Sequence, residues 1–192
     1  MDPRPVPGCL HNAALLVVDW QLFFVSPKSP AFLSETVRAE EAVRALVDAF
    51  LSTGRRVIAT RHGHPRGECG PFLGFYGRLL YAEDPLSELA LFLRERAGVR
   101  TVPKRTYSVF ASSGLALELE AEGTKTLVIA GLQTDRCVAA NALAAFDLGL
   151  GVVVAEDACA ARTRERHLSA IGLLERSCAA IASTGQISEA LS

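Results

Sequence analysis

The sequence predicts a three-layer α/β/α fold around a central, mainly parallel sheet of six strands. Two observations predict it. Short apolar runs of five to seven residues alternate along the chain with segments whose apolar residues recur at helical spacing. No repeat, low-complexity tract or linker divides the 192 residues, and an apolar content of 49% suffices for one core. Strands alternating with helices join through right-handed βαβ units into one sheet covered on both faces. A single domain over residues 1–192 is expected.

The elements follow in order. Residues 1–12 carry Pro3, Pro5 and Pro7 and lack the hydrophobic stretch of a signal peptide, so they read as a flexible arm. Ala13 to Asp19 (AALLVVD) is an apolar run suited to a strand buried on both faces. Val43, Leu46, Val47, Phe50 and Leu51 mark a helix that stops at Gly54. Arg56 to Thr60 is the second strand. Asp84-Pro85 reads as an N-cap with proline at the first helical position, opening a helix that closes at Gly98. Val99 to Pro103 is the third strand. Ser112 to Glu122 reads as helix, Thr126 to Ala130 as the fourth strand and Asp135 to Leu148 as an alanine-rich helix. Gly151 to Ala155 is the fifth strand, Thr163 to about Cys178 a helix, Ala179 to Ser183 the sixth strand and Ile187 to Leu191 a last helix.

One segment breaks this rhythm. Arg61 to Asp84 has no clear period and carries five glycines. Long loops in compact domains are usually functional, and this one leaves the C-terminal end of a strand, where such sheets bind ligands. It reads as the wall or lid of a site.

Charge and cysteine content narrow the classes of function. Twenty basic and 21 acidic residues leave a net charge of −1, so nothing favours nucleic acid or an anionic membrane. No apolar run approaches the roughly 18 residues of a membrane span. The five cysteines (9, 69, 137, 159 and 178) are odd in number and form no CxxC pair. That pattern argues against a disulfide framework or a structural zinc cluster and fits a reducing cytoplasm. The expected ligand is a small molecule.

Several residues can carry chemistry. Cys137 falls in the first turn after a strand–turn transition, where unpaired N–H groups and the helix dipole stabilise a thiolate. Read blandly, it is a small buried residue on a helix. Asp19 ends the first strand at the ligand-binding edge, where a carboxylate can serve as a base, a cap or a magnesium ligand. Lys104, just past the third strand, reads by position as a solvated charge. His62 and His64 share one face of an extended segment, which permits a metal site, a structural role or substrate contact.

Four ordered motifs resemble the isochorismatase-like hydrolases, which include nicotinamidases, N-carbamoylsarcosine amidases and isochorismatases. They are VVDWQLFF, ATRHGHP, KRTYSVF and GLQTDRCVAANALAAFDLGLGVVVAEDACAA, and the likeness runs from about Ala13 to Ser183. The resemblance implies a sheet of order 3-2-1-4-5-6 and a catalytic trio at Asp19, Lys104 and Cys137. It also implies a cis peptide at Leu132–Gln133. Two departures matter. The family's zinc-dependent nicotinamidases carry Asp-x-His at the ATRHGHP position, whereas His62 stands in the place of that aspartate. No histidine occurs between His64 and His167. No metal and no cofactor are therefore expected. True isochorismatases, which cleave a vinyl ether, do not keep the cysteine.

The resemblance and the local chemistry together imply hydrolysis of an amide or ureido C–N bond through a thioester. Asp19 serves as base and then acid, and the helix dipole and Lys104 stabilise the thiolate. Backbone N–H groups of Gln133 and Cys137 hold the oxyanion. Gln21, Phe24, His62, Tyr76 and Tyr107 are the candidate substrate contacts. For the three aromatic residues plain packing is an equal alternative. A homodimer or homotetramer is the expected assembly. The rivals are a vinyl-ether hydrolase, an idle binding protein on the same fold and a redox-sensing thiol.

Overall fold

The structure is a computed structural model and describes residues 10–191. Most of the expected arm, with Cys9, lies outside the described residues. From Leu10 onward the chain is anchored, which corrects the reading of a flexible arm as far as residue 12. Leu10 is buried, its N–H donates to the Ala190 carbonyl (3.1 Å), and its carbonyl accepts from Arg55 Nε (3.1 Å).

Six strands form one sheet: β1 (Ala13–Val18), β2 (Val57–His62), β3 (Val99–Lys104), β4 (Thr126–Leu132), β5 (Gly151–Ala160) and β6 (Ala180–Ala182). Their order is β3-β2-β1-β4-β5-β6, and every neighbouring pair is parallel. The chain winds outward from β1 on one side and from β4 on the other, so a crevice opens at the C-terminal ends of these two strands.

Side-chain alternation explains why β1 is apolar throughout. Leu15 and Val17 point into one core with Val43, Leu46, Val47 and Phe50 of helix α2 (Thr36–Ser52). Ala14, Leu16 and Val18 point into a second core. There they meet Leu115 and Leu119 of α5 (Leu115–Ala121), Ala142 of α6 (Ala139–Asp147) and Leu174 of α7 (Arg164–Ser177). Gly131 is the point of closest approach between β1 and β4. Its φ is +113°, and a Cβ there would lie 2.2 Å from the Val18 carbonyl oxygen. Only glycine combines that backbone angle with that contact.

Four short helices complete the fold: α1 (Leu22–Val25), α3 (Pro71–Tyr76), α4 (Leu91–Arg94) and α8 (Thr184–Ala190). The helix expected from Asp84 to Gly98 is not continuous. Asp84 does cap, its Oδ1 accepting from Leu86 N–H (2.8 Å), but it opens only a 3₁₀ turn, Pro85–Ser87. Glu88 and Ala90 are extended because the chain pairs with residues 20–22: Leu22 N–H donates to Glu88 O (2.8 Å) and Ala90 N–H to Trp20 O (2.9 Å). Leu89, Ala90 and Leu93 are buried all the same, so the apolar spacing looked helical.

The helix expected over residues 112–122 starts later, as α5 at Leu115, and a 3₁₀ turn, Val109–Ala111, precedes it. β5 runs five residues beyond the expected end, because Asp157 is satisfied within the strand by the N–H and hydroxyl of Thr184 (each 2.9 Å to Oδ1). The last helix starts earlier than expected, at a capping box between Ser183 and Gln186. Among the described residues no helix is long and apolar enough to cross a membrane.

Candidate active site

Four strand ends build the site. Asp19 follows β1 with φ +49°, a left-handed conformation that aspartate tolerates better than most residues. Thr60 of β2 holds it there: the Asp19 N–H donates to Thr60 Oγ1 (3.0 Å), and that hydroxyl donates to Asp19 Oδ1 (2.6 Å). Lys104 ends β3 in register with His62 of β2. Its Nζ lies 2.7 Å from Asp19 Oδ2, donates to Thr106 O (3.0 Å), and reaches Cys137 Sγ and His62 Nδ1 at 3.5 Å each. By position Lys104 had read as a solvated charge, yet its side chain is wholly buried.

Cys137 sits in one π-helical turn, Thr134–Val138, that leads from β4 into α6. The Leu132–Gln133 peptide before this turn is cis. Asn141 braces the turn from below. Its Nδ2 donates to Cys137 O (2.7 Å) and Tyr107 O (3.2 Å), and its Oδ1 accepts from Val109 N–H (2.9 Å). Asn141 therefore ties the cysteine turn to the segment after β3.

The electrostatics bear on one expectation. Burial first, and then the Asp19 carboxylate, push the Cys137 thiol above its ordinary value, and together they outweigh Lys104. This direction opposes the thiolate that the helix N-terminus was expected to favour. Burial opposes the charge on Lys104, but the Asp19 carboxylate beside it favours that charge, and the lysine pKa is raised. Burial, aided by Lys104, lowers His62 from 6.5 to about 4. His62 is thus neutral at pH 7.

Asp19, His62 and Cys137 line one cavity of about 400 Å³, a size suited to a small molecule, with Lys104 buried behind them. His62 at the end of β2 and His64, Phe72, Tyr76 and Leu80 of the segment that follows form one wall. Phe24, Leu33, Leu86 and Tyr107 supply further apolar surface, and Gln133 also borders the space. The Tyr76 and Tyr107 hydroxyls are 2.5 Å apart, and burial heads the causes that raise Tyr107 to about 12.

Gln21 is a correction. It does not line the cavity but is buried, its Nε2 donating to His62 O (2.8 Å) and Ser87 O (2.6 Å) and its Oε1 accepting from His62 N–H (3.0 Å). With those groups committed to the chain, Gln21 positions the His62 backbone and leaves no free face for substrate.

Sequence reasoning missed Thr60, Phe72 and Asn141. Phe72 packs on His62, His64, Tyr76 and Tyr107, with ring centroids 4.9–6.1 Å away. Asn141, a polar residue one turn after Cys137 on an otherwise alanine-rich face, carried a signal that could have been used. His62 and His64 stack edge to face at 4.9 Å, but Glu68 occupies His64 Nδ1 (3.0 Å). Among the described residues no group of three or more His, Cys, Asp or Glu is placed to hold a metal ion. This donor set does not fit a zinc centre.

Comparison with known proteins bears on this geometry. The isochorismatase domain family matches residues 13–186. An uncharacterized isochorismatase family protein of Escherichia coli O157:H7 is 35% identical over 88 residues, and the match spans 46% of this chain and about half (47%) of that relative. Nicotinamidase 3 of Arabidopsis thaliana is 30% identical over 81% of this chain and 76% of its own length. Maleamate amidohydrolase of Pseudomonas putida is 26% identical over 83% of this chain and 78% of its own. A cysteine hydrolase of Pseudomonas syringae shares the fold with a TM-score of 0.90 at 20% identity, over 98% of this chain and 95% of that one. With the family match spanning nearly the whole described chain, this protein belongs to the isochorismatase family.

Proposed function

We propose that the protein is a cysteine hydrolase that cleaves a C–N bond of a small amide or ureido compound through a thioester on Cys137. One observation carries the reading: Asp19 and Cys137 line the cavity, and the buried Lys104 joins them, its Nζ at 2.7 Å from the carboxylate and 3.5 Å from the sulfur. The two amide-cleaving relatives support the bond type.

The raised thiol pKa sets the order of events. The resting sulfur keeps its proton, so attack on the carbonyl carbon is coupled to proton transfer from Sγ to Asp19. Lys104 stabilises the negative charge as it develops on sulfur. The N–H groups of Gln133 and Cys137 are the proposed oxyanion donors. Asp19 then passes the proton to the nitrogen, the C–N bond breaks, and the amine leaves a thioester. A water molecule gives a proton to Asp19 and adds to the thioester carbonyl. Collapse releases the acid, and the proton returns to sulfur. The sum is amide plus water to acid plus amine, with the protein unchanged. His62, being neutral, adds no charge beside the sulfur.

The test is a panel of small amides and ureido acids assayed with the wild type and Cys137→Ala. The expected result is turnover by the wild type alone, with a hydroxylamine-sensitive acyl adduct on Cys137 seen by mass spectrometry. Turnover by Cys137→Ala at the wild-type rate excludes the covalent route.

A further inference from the structure

The walls of the cavity carry an unbalanced charge. Arg78, Arg136 and Arg162 all line it, and among the described residues none of them forms an ion pair. Their neighbours do: Arg61 pairs with Glu88 (2.6 Å), Arg66 with Glu83 and Arg105 with Glu68 (4.0 Å). At the floor Asp19 and Lys104 cancel each other, and His62 is neutral at pH 7. The remaining acid of the walls is Asp84, whose Oδ1 already accepts the Leu86 N–H. Three guanidiniums against one carboxylate leave a surplus of two positive charges, on a chain whose net charge is −1.

A run of surface charge on one helix face does not explain this. Arg78 follows α3, Arg136 precedes Cys137 in the π turn, and Arg162 follows β5, so three separate segments deliver them to one space. Arg136 is half-buried, with its guanidinium carbon 5.3 Å from the centroid of the Tyr76 ring. A contact with a ring face orients a guanidinium without consuming its N–H donors. Arg78 and Arg162 are more exposed and stand at the mouth.

We propose that this cavity takes an anionic substrate, an amide or ureido compound that also bears a carboxylate. The arginines bind the carboxylate, and the scissile carbonyl reaches Cys137. The proposal rests on the amidohydrolase reading above and adds the charge of the substrate to it. A carboxylate matches the forked guanidinium and supplies the missing counter-charge. Because the arginines contact the carboxylate and not the reacting carbon, they act equally on ground and transition states. Their loss therefore shows in KM more than in kcat.

The experiment compares the monoamide of a four-carbon dicarboxylic acid with its methyl ester, which has nearly the same shape but no charge. The expected result is a preference for the acid of roughly tenfold or more in kcat/KM. That preference falls in Arg136→Gln and in the Arg78→Gln/Arg162→Gln double variant, mainly through KM, and is partly kept by Arg136→Lys. Added salt erodes it. Equal turnover of acid and ester, or a preference that survives all the arginine changes, overturns the proposal while leaving the amidohydrolase reading in place. A binding measurement separates the two failures. The Cys137→Ala protein, which needs no catalysis, is titrated with the four-carbon dicarboxylate and with its dimethyl ester. Tighter binding of the dianion supports the charge assignment even if no amide is turned over, and equal binding overturns it.

Discussion

Lys104 Nζ lies 2.7 Å from Asp19 Oδ2, and both side chains are essentially sealed from solvent. Removing one member of such a pair strands the other charge in the interior, which costs about 3–5 kcal/mol. Lys104→Ala is therefore expected to lower the unfolding free energy by about that amount, measured by urea denaturation. The pH dependence has a definite sign. The lysine pKa is raised above 10.5, so its contribution is complete below that value and disappears as pH climbs through the folded value. The stability difference between wild type and Lys104→Ala is expected to be constant near neutrality and to shrink in strong alkali.

The Asp19 carboxylate is one of the forces that keep the Cys137 thiol protonated, and Lys104 opposes it. Asp19→Asn removes that force while leaving a side-chain oxygen to accept from Thr60. Iodoacetamide is expected to alkylate Cys137 slowly in the wild type near pH 8 and about tenfold or more faster in Asp19→Asn, since each pKa unit is tenfold in thiolate. Turnover is expected to vanish in the same variant. Slower alkylation in Asp19→Asn contradicts the reading that the Asp19 charge holds the thiol protonated, and shows that Asp19 acts on this sulfur mainly as the acceptor of its proton.

Two buried histidines make the fold sensitive to acid. Burial is the first cause that lowers both His62 and His167 from 6.5 to about 4. Between these values the unfolded imidazoles bind protons that the native ones do not, so stability falls as pH drops from about 6.5 to 4. The ceiling is about 3 kcal/mol for each histidine. His167 Nδ1 is 2.9 Å from Thr134 Oγ1 in the cysteine turn, and its Nε2 is buried with no partner among the described residues. His167→Gln is expected to flatten this acid slope, as read by thermal melts at pH 4.5 and 7.

Asn141 is expected to matter more than its place on an alanine-rich helix suggests. Asn141→Ala leaves the buried Val109 N–H without its acceptor and frees the Cys137 and Tyr107 carbonyls. The expected loss is about 1–3 kcal/mol in stability. A fall in kcat is expected with it, because the cysteine turn and the Tyr107 wall lose their common brace. Asn141→Asp keeps the acceptor for Val109 but not the donors, so comparing the two variants by melting and by kinetics separates the two effects.

The sequence by itself determined the layered fold, and the resemblance of its ordered motifs to a known family implied the order of its strands. Five- to seven-residue apolar runs, helical spacing and glycine stops are local properties, and they survive in the folded chain. The ordered motifs also marked Asp19, Lys104 and Cys137. What only the tertiary structure decided depends on distant partners. Trp20 and Leu22 drew residues 88–90 out of the expected helix, because backbone pairing outweighed a favourable local cap. Gln21 became a brace because the carbonyls of His62 and Ser87 converge on it. The protonation of Cys137 was not legible either. A helix terminus is visible in sequence, but the burial and the neighbouring carboxylate that raise the thiol pKa exist only once β1, β3 and α6 are packed together.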